Sequence, residues 1–379
     1  MRYCNKCVMP DTKPDLSFDE KGVCDACRSA EWKETFDWKE REKEFFELVK
    51  QYRSKDRMYY DCIVPISGGK DSHYQVYMAK KYGLTPLGVH FEPSIPTELG
   101  KKNLMNLRKA FEIDVISWLK NPVIYRKLCI EGFKRVGDPE WPNHLGIFTV
   151  PVKIAVKFKI PLILWGENTQ LEYGGPKKAR EQALFDKRYL FEYGGLLGNR
   201  LEDMASKTIP LEELRGLLYP SEKELRDANV RGVFLGYYFK WDARPQTDLM
   251  VNQGFSTKGS AVEGTYTDYE NLDCESPAIH DYLKYTKYGF GRATDHACLD
   301  VRNGRITRED AVMLVHKYDG KFPWHGAHKM MEYLDMEEKE FISIIDSFTN
   351  KKIFKTDARG KLVKLINGTL VKRDEYILK

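Results

Sequence analysis

Apolar residues in this chain come in two kinds of block. Short, continuously apolar runs at 62–66, 84–91, 113–118, 162–166 and 233–238 have the length of strands. Between them, 71–81, 98–111, 124–135 and 147–159 carry apolar residues at three- and four-residue spacing, the pattern of helices with one buried face. Strands without polar alternation are buried on both sides. Their regular exchange with helices predicts an α/β fold, a parallel sheet with helices on both faces. Ligands in such sheets bind beyond the carboxyl ends of the strands, where strand order switches. The loops after the first, second and fourth strands are therefore expected to share one site.

The flanks differ. Residues 30–57 mix Trp32, Phe36, Phe45, Phe46, Leu48 and Val49 with many Lys and Glu, which predicts an amphipathic linker helix. Beyond Gly166 regularity falls away, and the two Glu-Tyr-Gly-Gly copies, at Glu172 and Glu192, start no fixed-period repeat. Helical periodicity returns over 307–348, and the basic, alternating tail 351–379 predicts a hairpin at Asn367-Gly368. The expected domains are 1–30, a linker 31–57, an α/β domain 58–245 and a mainly helical region 246–379.

Composition narrows the class. At 379 residues with 42% hydrophobic content the chain can bury a large core, enough for two or three domains. A net charge of +5 over that length neither demands nor excludes nucleic acid. No secretory leader pattern or membrane-length apolar run is visible, so a cytoplasmic protein is expected. Eight cysteines, four of them in two tight pairs, suit a reducing compartment and one metal site better than a disulfide framework.

Those pairs are Cys4-Asn5-Lys6-Cys7 and Cys24-Asp25-Ala26-Cys27. Two C-x-x-C knuckles can close a tetrahedral zinc site, with iron–sulfur ligation or free thiols as the alternatives. A Cys4 site leaves no open position, so its expected work is to fold a segment too small for its own core. The loop between the pairs holds Lys13 and Lys21 but also Asp11, Asp15, Asp19 and Glu20, and so is no basic patch for nucleic acid.

The sharpest motif is Ser67-Gly68-Gly69-Lys70-Asp71-Ser72, set between a strand and a helix. Glycines there let backbone N–H groups approach an anion, and the helix N-terminus and Lys70 add positive charge. Ser67 and Ser72 offer hydroxyl donors, and Asp71 can hold a magnesium ion against phosphate oxygens. The pattern is not the common ATPase loop G-x-x-x-x-G-K-[ST]. It resembles the PP-loop of the ATP pyrophosphatases, which implies ATP cleavage between the α- and β-phosphates.

Four stretches carry a wider resemblance: MRYCNKCVMPDTKPDLSFDEKGVCDAC, SGGKDS, PLILWGEN and KYGFGRATDHACLDVRNGRITREDAV. Together they resemble the N-acetyl sugar amidotransferase family, whose members help build acetamidino sugars of bacterial surface polysaccharides and of flagellin (pseudaminic and legionaminic acid derivatives). The resemblance implies adenylation of an acetamido oxygen by ATP with magnesium, then displacement of AMP by ammonia. The implied substrate is a nucleotide-linked N-acetyl sugar. No nucleophile elbow surrounds Cys129, Cys274 or Cys298, so the implied partner is a separate glutaminase subunit, often paired with a cyclase-like barrel protein. The main alternative is a tRNA-thiolating PP-loop enzyme with a zinc knuckle; the lack of a strongly basic arm or a paired redox cysteine motif speaks against it.

Further candidates follow from position. His90 and Phe91 end the second strand, where the PP-loop resemblance puts adenine; His90 either meets the ring or packs as a core histidine. Gly166, Glu167 and Asn168 follow the fourth strand; Glu167 suits magnesium or sugar and Asn168 a substrate amide, against a plain polar loop. Arg292, Asp295 and His296 join a cation, a carboxylate and an imidazole on a glycine-rich segment, read as catalytic with Lys70 and Asp71, or as a turn with a buried ion pair. Lys240 and Arg244 flank Trp241 as weaker pyrophosphate candidates. His325 and His328 are expected to be surface histidines, and Cys62 and Cys298 small packed side chains.

Overall fold

A computed structural model describes residues 1–54 and 58–379; the end of the expected linker helix, 55–57, lies outside the described residues. Six strands form one sheet in the order β3-β2-β1-β4-β6-β5. They are β1 (Cys62–Ile66), β2 (Pro86–Phe91), β3 (Val115–Trp118), β4 (Leu162–Trp165), β5 (Leu184–Phe185) and β6 (Arg231–Phe234). Every pairing is parallel except that of the two-residue β5 with β6.

The helices that position the site are α1 (Asp25–Lys33), α2 (Trp38–Tyr52), α3 (Lys70–Lys81), α4 (Glu98–Phe111), α5 (Pro122–Val136), α6 (Trp141–Phe158) and α7 (Thr169–Tyr173). The pleat sorts the apolar runs onto two faces. Ile63, Leu87, Val89, Phe91, Ile163, Trp165 and Phe234 pack with Leu128 and Phe133 of α5 and Leu145 and Val152 of α6. Cys62, Val64, Ile66, Leu162, Leu164 and Val233 pack on the other side with Phe45, Val76 and Leu107. Each such side chain taken from water contributes roughly 1.5–3 kcal/mol, which is why uninterrupted apolar runs end up in the middle layer.

The differences from the sequence expectation have local causes. The run 233–238 is not one strand. Pairing with β4 ends at Trp165↔Phe234, Gly236 N–H then donates to the Gly166 carbonyl at 3.1 Å, and Leu235–Tyr238 turns into a short helix. An apolar run of this length carries no periodicity to separate the two states. The expected linker helix is two helices, because Asp37 accepts from Lys39 N and Glu40 N and so starts α2 afresh. Helix α6 begins six residues before 147, since Pro142 sits in its first turn, where no N–H is required. The 307–348 periodicity resolves into Arg308–Tyr318, Trp324–Leu334 and Glu338–Phe348, the first opened by a Thr307/Asp310 capping box. The last two pack into the α5/α6 side of the core, where Phe133 and Phe341 lie 4.9 Å apart between ring centroids. A hairpin does form at Asn367-Gly368, closed by Leu365 N–H to Thr369 O at 2.8 Å.

One close approach fixes the cavity side of the sheet. Gly146 in α6 lies under the Phe91 ring, and a Cβ there would stand 2.3 Å from two ring carbons. The β2 ladder holds the Phe91 backbone, so relief can come only from its ring turning into the cavity it lines. Gly146→Ala is therefore expected to destabilise the fold by about 1–3 kcal/mol through overpacking, read as a lowered urea midpoint with an unchanged m-value.

Candidate functional site

The site is built from the 67–72 loop upward. Gly68 has φ +92°, and a Cβ on it would meet the Leu104 backbone nitrogen at 2.8 Å, so only glycine fits the turn between β1 and α3. Gly69 caps α3 without a side-chain bond, and the Ser72 hydroxyl accepts from Ser67 N–H at 2.9 Å. The first N–H groups of α3 point out of this turn with no partner inside the helix. Lys70 follows at once and is 5% exposed.

Burial alone would discharge Lys70, but Asp71 and Glu270 outweigh it and hold its pKa above the ordinary lysine value. The ammonium lies 2.6 Å from Asp71 Oδ2 and 2.9 Å from Glu270 Oε1. Glu270 would likewise be raised by burial, yet Lys70, His296 and Arg292 bring it down to about 2. Lys70 also draws Glu167 down, but burial followed by the Asp71 charge outweighs it and pushes Glu167 up to about 8. Two oxygens thus sit underused: Asp71 Oδ1 is covered without a hydrogen bond, and Glu167 is held largely protonated at neutral pH. Asp71 and Glu167 line the same two spaces beside the 67–72 loop, and two carboxyl groups so placed could serve a hard cation such as magnesium.

The helix Arg292–Arg302 supplies the opposite wall. Arg292 is clamped by Asp281 through Nε–Oδ2 at 3.1 Å and Nη2–Oδ1 at 3.0 Å. His296 is lowered to about 4 by burial, so its imidazole is neutral at pH 7. Its Nδ1 meets Thr265 Oγ1 at 2.6 Å and its Nε2 lies 4.0 Å from Glu270 Oε1. Asp295 points to the other side of the helix start and pairs with Lys284.

Three cavities meet at Glu167. The first, about 270 Å³, is lined by Ser67, Asp71, Ser72, Phe91, Phe148, Trp165 and Trp241, so the loops after β1, β2 and β4 do share one space. The second, about 70 Å³, holds Lys70, Asp71, Glu270, Arg292, His296 and Arg305. The third, about 410 Å³, is lined by Arg292, Asp295, Tyr173, Lys284 and knuckle residues Lys13, Pro14 and Asp15.

Not every candidate faces these spaces. His90 and Phe91 point to opposite sides of β2, and His90, buried, lies 3.4 Å from Ser117 Oγ, outside all three cavities. Asn168 is 1% exposed and fully engaged: its Oδ1 accepts from Gln170 N, Leu171 N and Tyr189 OH, and its Nδ2 donates to Ala179 O and Gln182 O. It caps α7 and keeps no donor for a substrate amide. Lys240 pairs on the surface with Glu34 at 2.7 Å, and Arg244 sits 3.6 Å from Asp300. His325 is exposed beside Glu275. Sequence reasoning missed Glu270, Tyr173 and Asp300. Glu270 lies in a stretch without periodicity, where only the local density of Asp268, Glu270, Asp273 and Glu275 hinted at a charged site; Tyr173 and Asp300 sit on helices, where nothing local marks which face meets the site.

The four knuckle cysteines are buried and mutually within 4.8 Å, with Cys4–Cys27 at 3.9 Å and Cys7–Cys24 at 3.8 Å. Sulfurs about 3.8 Å apart surround a tetrahedral ion at zinc–sulfur distances of about 2.3 Å. Lys6, Cys7 and Cys24 N–H groups donate to Cys4 Sγ, as thiolates require. The four can therefore bind a metal such as zinc. The knuckle packs against Phe290, Ala297, Cys298 and Ala311, and Arg302 bridges Cys7 Sγ at 3.8 Å and the Glu172 carbonyl at 2.9 Å.

Residues 263–367 match the family model described as LPS biosynthesis protein WbpG-like, C-terminal domain. The matched segment contains Glu270, Arg292, Asp295 and His296 and is thus similar to part of lipopolysaccharide biosynthesis proteins. No curated protein matches the chain. Among the described residues, no helix is long and apolar enough to cross a membrane.

Two outcomes follow. Stripping the metal, or Cys24→Ser, should raise amide exchange over 289–303 as well as over the knuckle, because that helix loses its buried neighbours; exchange rising in the knuckle alone would contradict the coupling. If magnesium binds at Glu167, it must expel the carboxyl proton at any pH below about 8. Affinity for magnesium should therefore fall by up to about tenfold per pH unit below that value and level off above it. Calorimetry in buffers of different ionisation enthalpy counts the released proton, and Glu167→Gln should abolish the release.

Proposed function

We propose that this chain is an ATP-dependent amidotransferase acting in lipopolysaccharide or related surface-glycan biosynthesis. It adenylates the acetamido oxygen of a nucleotide-linked N-acetyl sugar and lets ammonia replace AMP. The observation that carries this reading is the meeting of three cavities at Glu167: an aromatic one beside the 67–72 loop, a charged one around Lys70, and a wide one behind Arg292.

In this reading ATP lies with its adenosine against Phe91, Phe148 and Trp165. The 67–72 loop and Lys70 hold the phosphates, and Lys70 neutralises the charge that develops on pyrophosphate. Magnesium, held by Asp71 and Glu167, would supply further charge neutralisation at the phosphates. The sugar enters by the wide cavity, and its acetamido oxygen attacks the α-phosphorus as the bond to pyrophosphate breaks. Ammonia then adds to the imidate carbon, the carbon–oxygen bond breaks, and AMP leaves with that oxygen. The neutral His296 imidazole stands ready to take the proton that the attacking nitrogen loses. Ammonia comes from a separate glutaminase subunit in this reading, and the reaction belongs to the cytoplasm, where ATP and nucleotide sugars are made.

The decisive experiment incubates the protein with ATP, magnesium, ammonium and a panel of nucleotide-linked N-acetyl sugars. AMP and pyrophosphate should appear only with an accepted sugar, which should change in mass by the exchange of oxygen for NH. Lys70→Ala should lower turnover by at least about a hundredfold, the scale of losing one preorganised electrostatic contact. AMP formation that depends on tRNA and on no sugar would replace this reading with base thiolation.

A further inference from the structure

One cluster beside the wide cavity, which Asp138 and His280 line, has no part in the chemistry above. Asp138, His144 and His280 come from three elements: the turn after α5, the first turn of α6, and the helix Pro277–Tyr288. One ligand atom from each lies within 4.8 Å of the others. Asp138 Oδ2 faces His280 Nδ1 at 2.9 Å and His144 Nδ1 at 3.7 Å, and the two imidazole rings stand edge to face at 4.8 Å.

We propose that Asp138, His144 and His280 form a second metal site, for a borderline divalent transition ion such as Zn²⁺ or Co²⁺, with its open coordination positions facing the wide cavity. Around a tetrahedral ion with bonds of about 2.0–2.1 Å, ligand atoms stand about 3.3 Å apart, and the two separations from Asp138 bracket that spacing. The donor set, two imidazoles and one carboxylate, selects zinc-type ions over magnesium or calcium. The carboxylate is already aimed: Asp138 Oδ1 accepts from Glu140 N–H at 3.0 Å, which turns Oδ2 toward the histidines.

A hydrogen-bonded Asp–His pair without a metal explains less. It satisfies His280 but leaves His144 Nδ1 covered and without a hydrogen-bond partner, a cost that a bound cation removes. The nearby cations are occupied elsewhere: Lys287 donates to the Val136 and Gly137 carbonyls, and Arg292 is held by Asp281. Asp138 is 4% exposed, whereas His144 and His280 keep 21% and 28%; Asp138 and His280 line the cavity, and His144 stands against Gly195 of its wall. Three protein ligands and open positions make a site of the kind that binds an oxygen or nitrogen donor from a cavity occupant.

The test uses the full chain saturated with Co²⁺ and freed of excess metal. The knuckle thiolates give an intense sulfur-to-cobalt charge-transfer band, and an imidazole–carboxylate site gives only ligand-field bands. Wild-type protein should hold two equivalents by elemental analysis, one of each spectral kind. His280→Gln should lose the equivalent without the thiolate band, and His144→Gln should do the same. His325→Gln, on the exposed surface, should keep both. Far-UV circular dichroism and melting temperature identify a variant that fails to fold, in which case the other histidine variant decides. A single thiolate-type equivalent in the wild type overturns the proposal. So does a second equivalent that survives in a folded His280→Gln or His144→Gln protein.

Discussion

A lysine ammonium with almost no access to water organises the centre of this molecule. Lys70 is charged only because Asp71 and Glu270 stand within 3 Å of its nitrogen. An unpaired ion there would cost several kcal/mol, so the chain must bring a carboxylate to it from elsewhere. Asp71 is its sequence neighbour, but Glu270 arrives from two hundred residues away. The loop 263–276 has no regular structure to place it. It is pinned instead by Pro96–Cys274 pairing and by the Thr97 hydroxyl donating to the Leu272 carbonyl. The charge on one loop of the sheet therefore dictates how a distant irregular segment is held.

The same logic extends outward. Glu270 faces His296, and Arg292 beside it is clamped by Asp281. Both basic groups sit in the first turns of a helix whose far end, Arg302, reaches the knuckle sulfur of Cys7 and the carbonyl of Glu172. Glu172 in turn forms a buried pair with Lys33 of α1 at 2.6 Å. A Cys4 cluster has no open position for chemistry, but here it closes one end of the rod that carries the site's cation and imidazole. The knuckle loop also lends Lys13, Pro14 and Asp15 to the wall of the wide cavity. A small segment with four metal-competent cysteines thereby shapes one wall of the wide cavity.

The sheet was legible in the sequence because its strands are buried on both faces. Such strands must be apolar throughout, and helices with a single buried stripe must separate them. The 67–72 loop was legible for a related reason: φ +92° at Gly68 and the close Leu104 backbone leave no other residue type. The knuckle spacing encodes its own geometry. What failed to show was everything set by pairing across long separations. Nothing near Glu270 announces Lys70, and nothing near His144 announces His280. Where local signals misled, a tertiary limit had intervened. The 233–238 run stops being a strand because its parallel partner stops at Trp165. Asn168 reads as a binding residue beside a ligand loop, yet the start of α7 and the carbonyls of Ala179 and Gln182 consume its whole amide.

The position of Glu167 ties these points to chemistry. It is the residue common to all three cavities, and it is held near neutrality in its proton affinity by burial and by Asp71. In a two-step reaction the nucleotide side and the substrate side have to sense the same moment, because an adenylated intermediate exposed to water is lost. Under the proposed function, a largely protonated carboxyl that touches both sides would lose its proton when a cation arrives with the nucleotide. That change would be felt at Tyr173, which senses the Glu167 charge and lines the wide cavity as well as the charged one. Under the proposed function, nucleotide loading would thus reset the electrostatics of the substrate cavity through a single shared side chain, with no movement of the sheet.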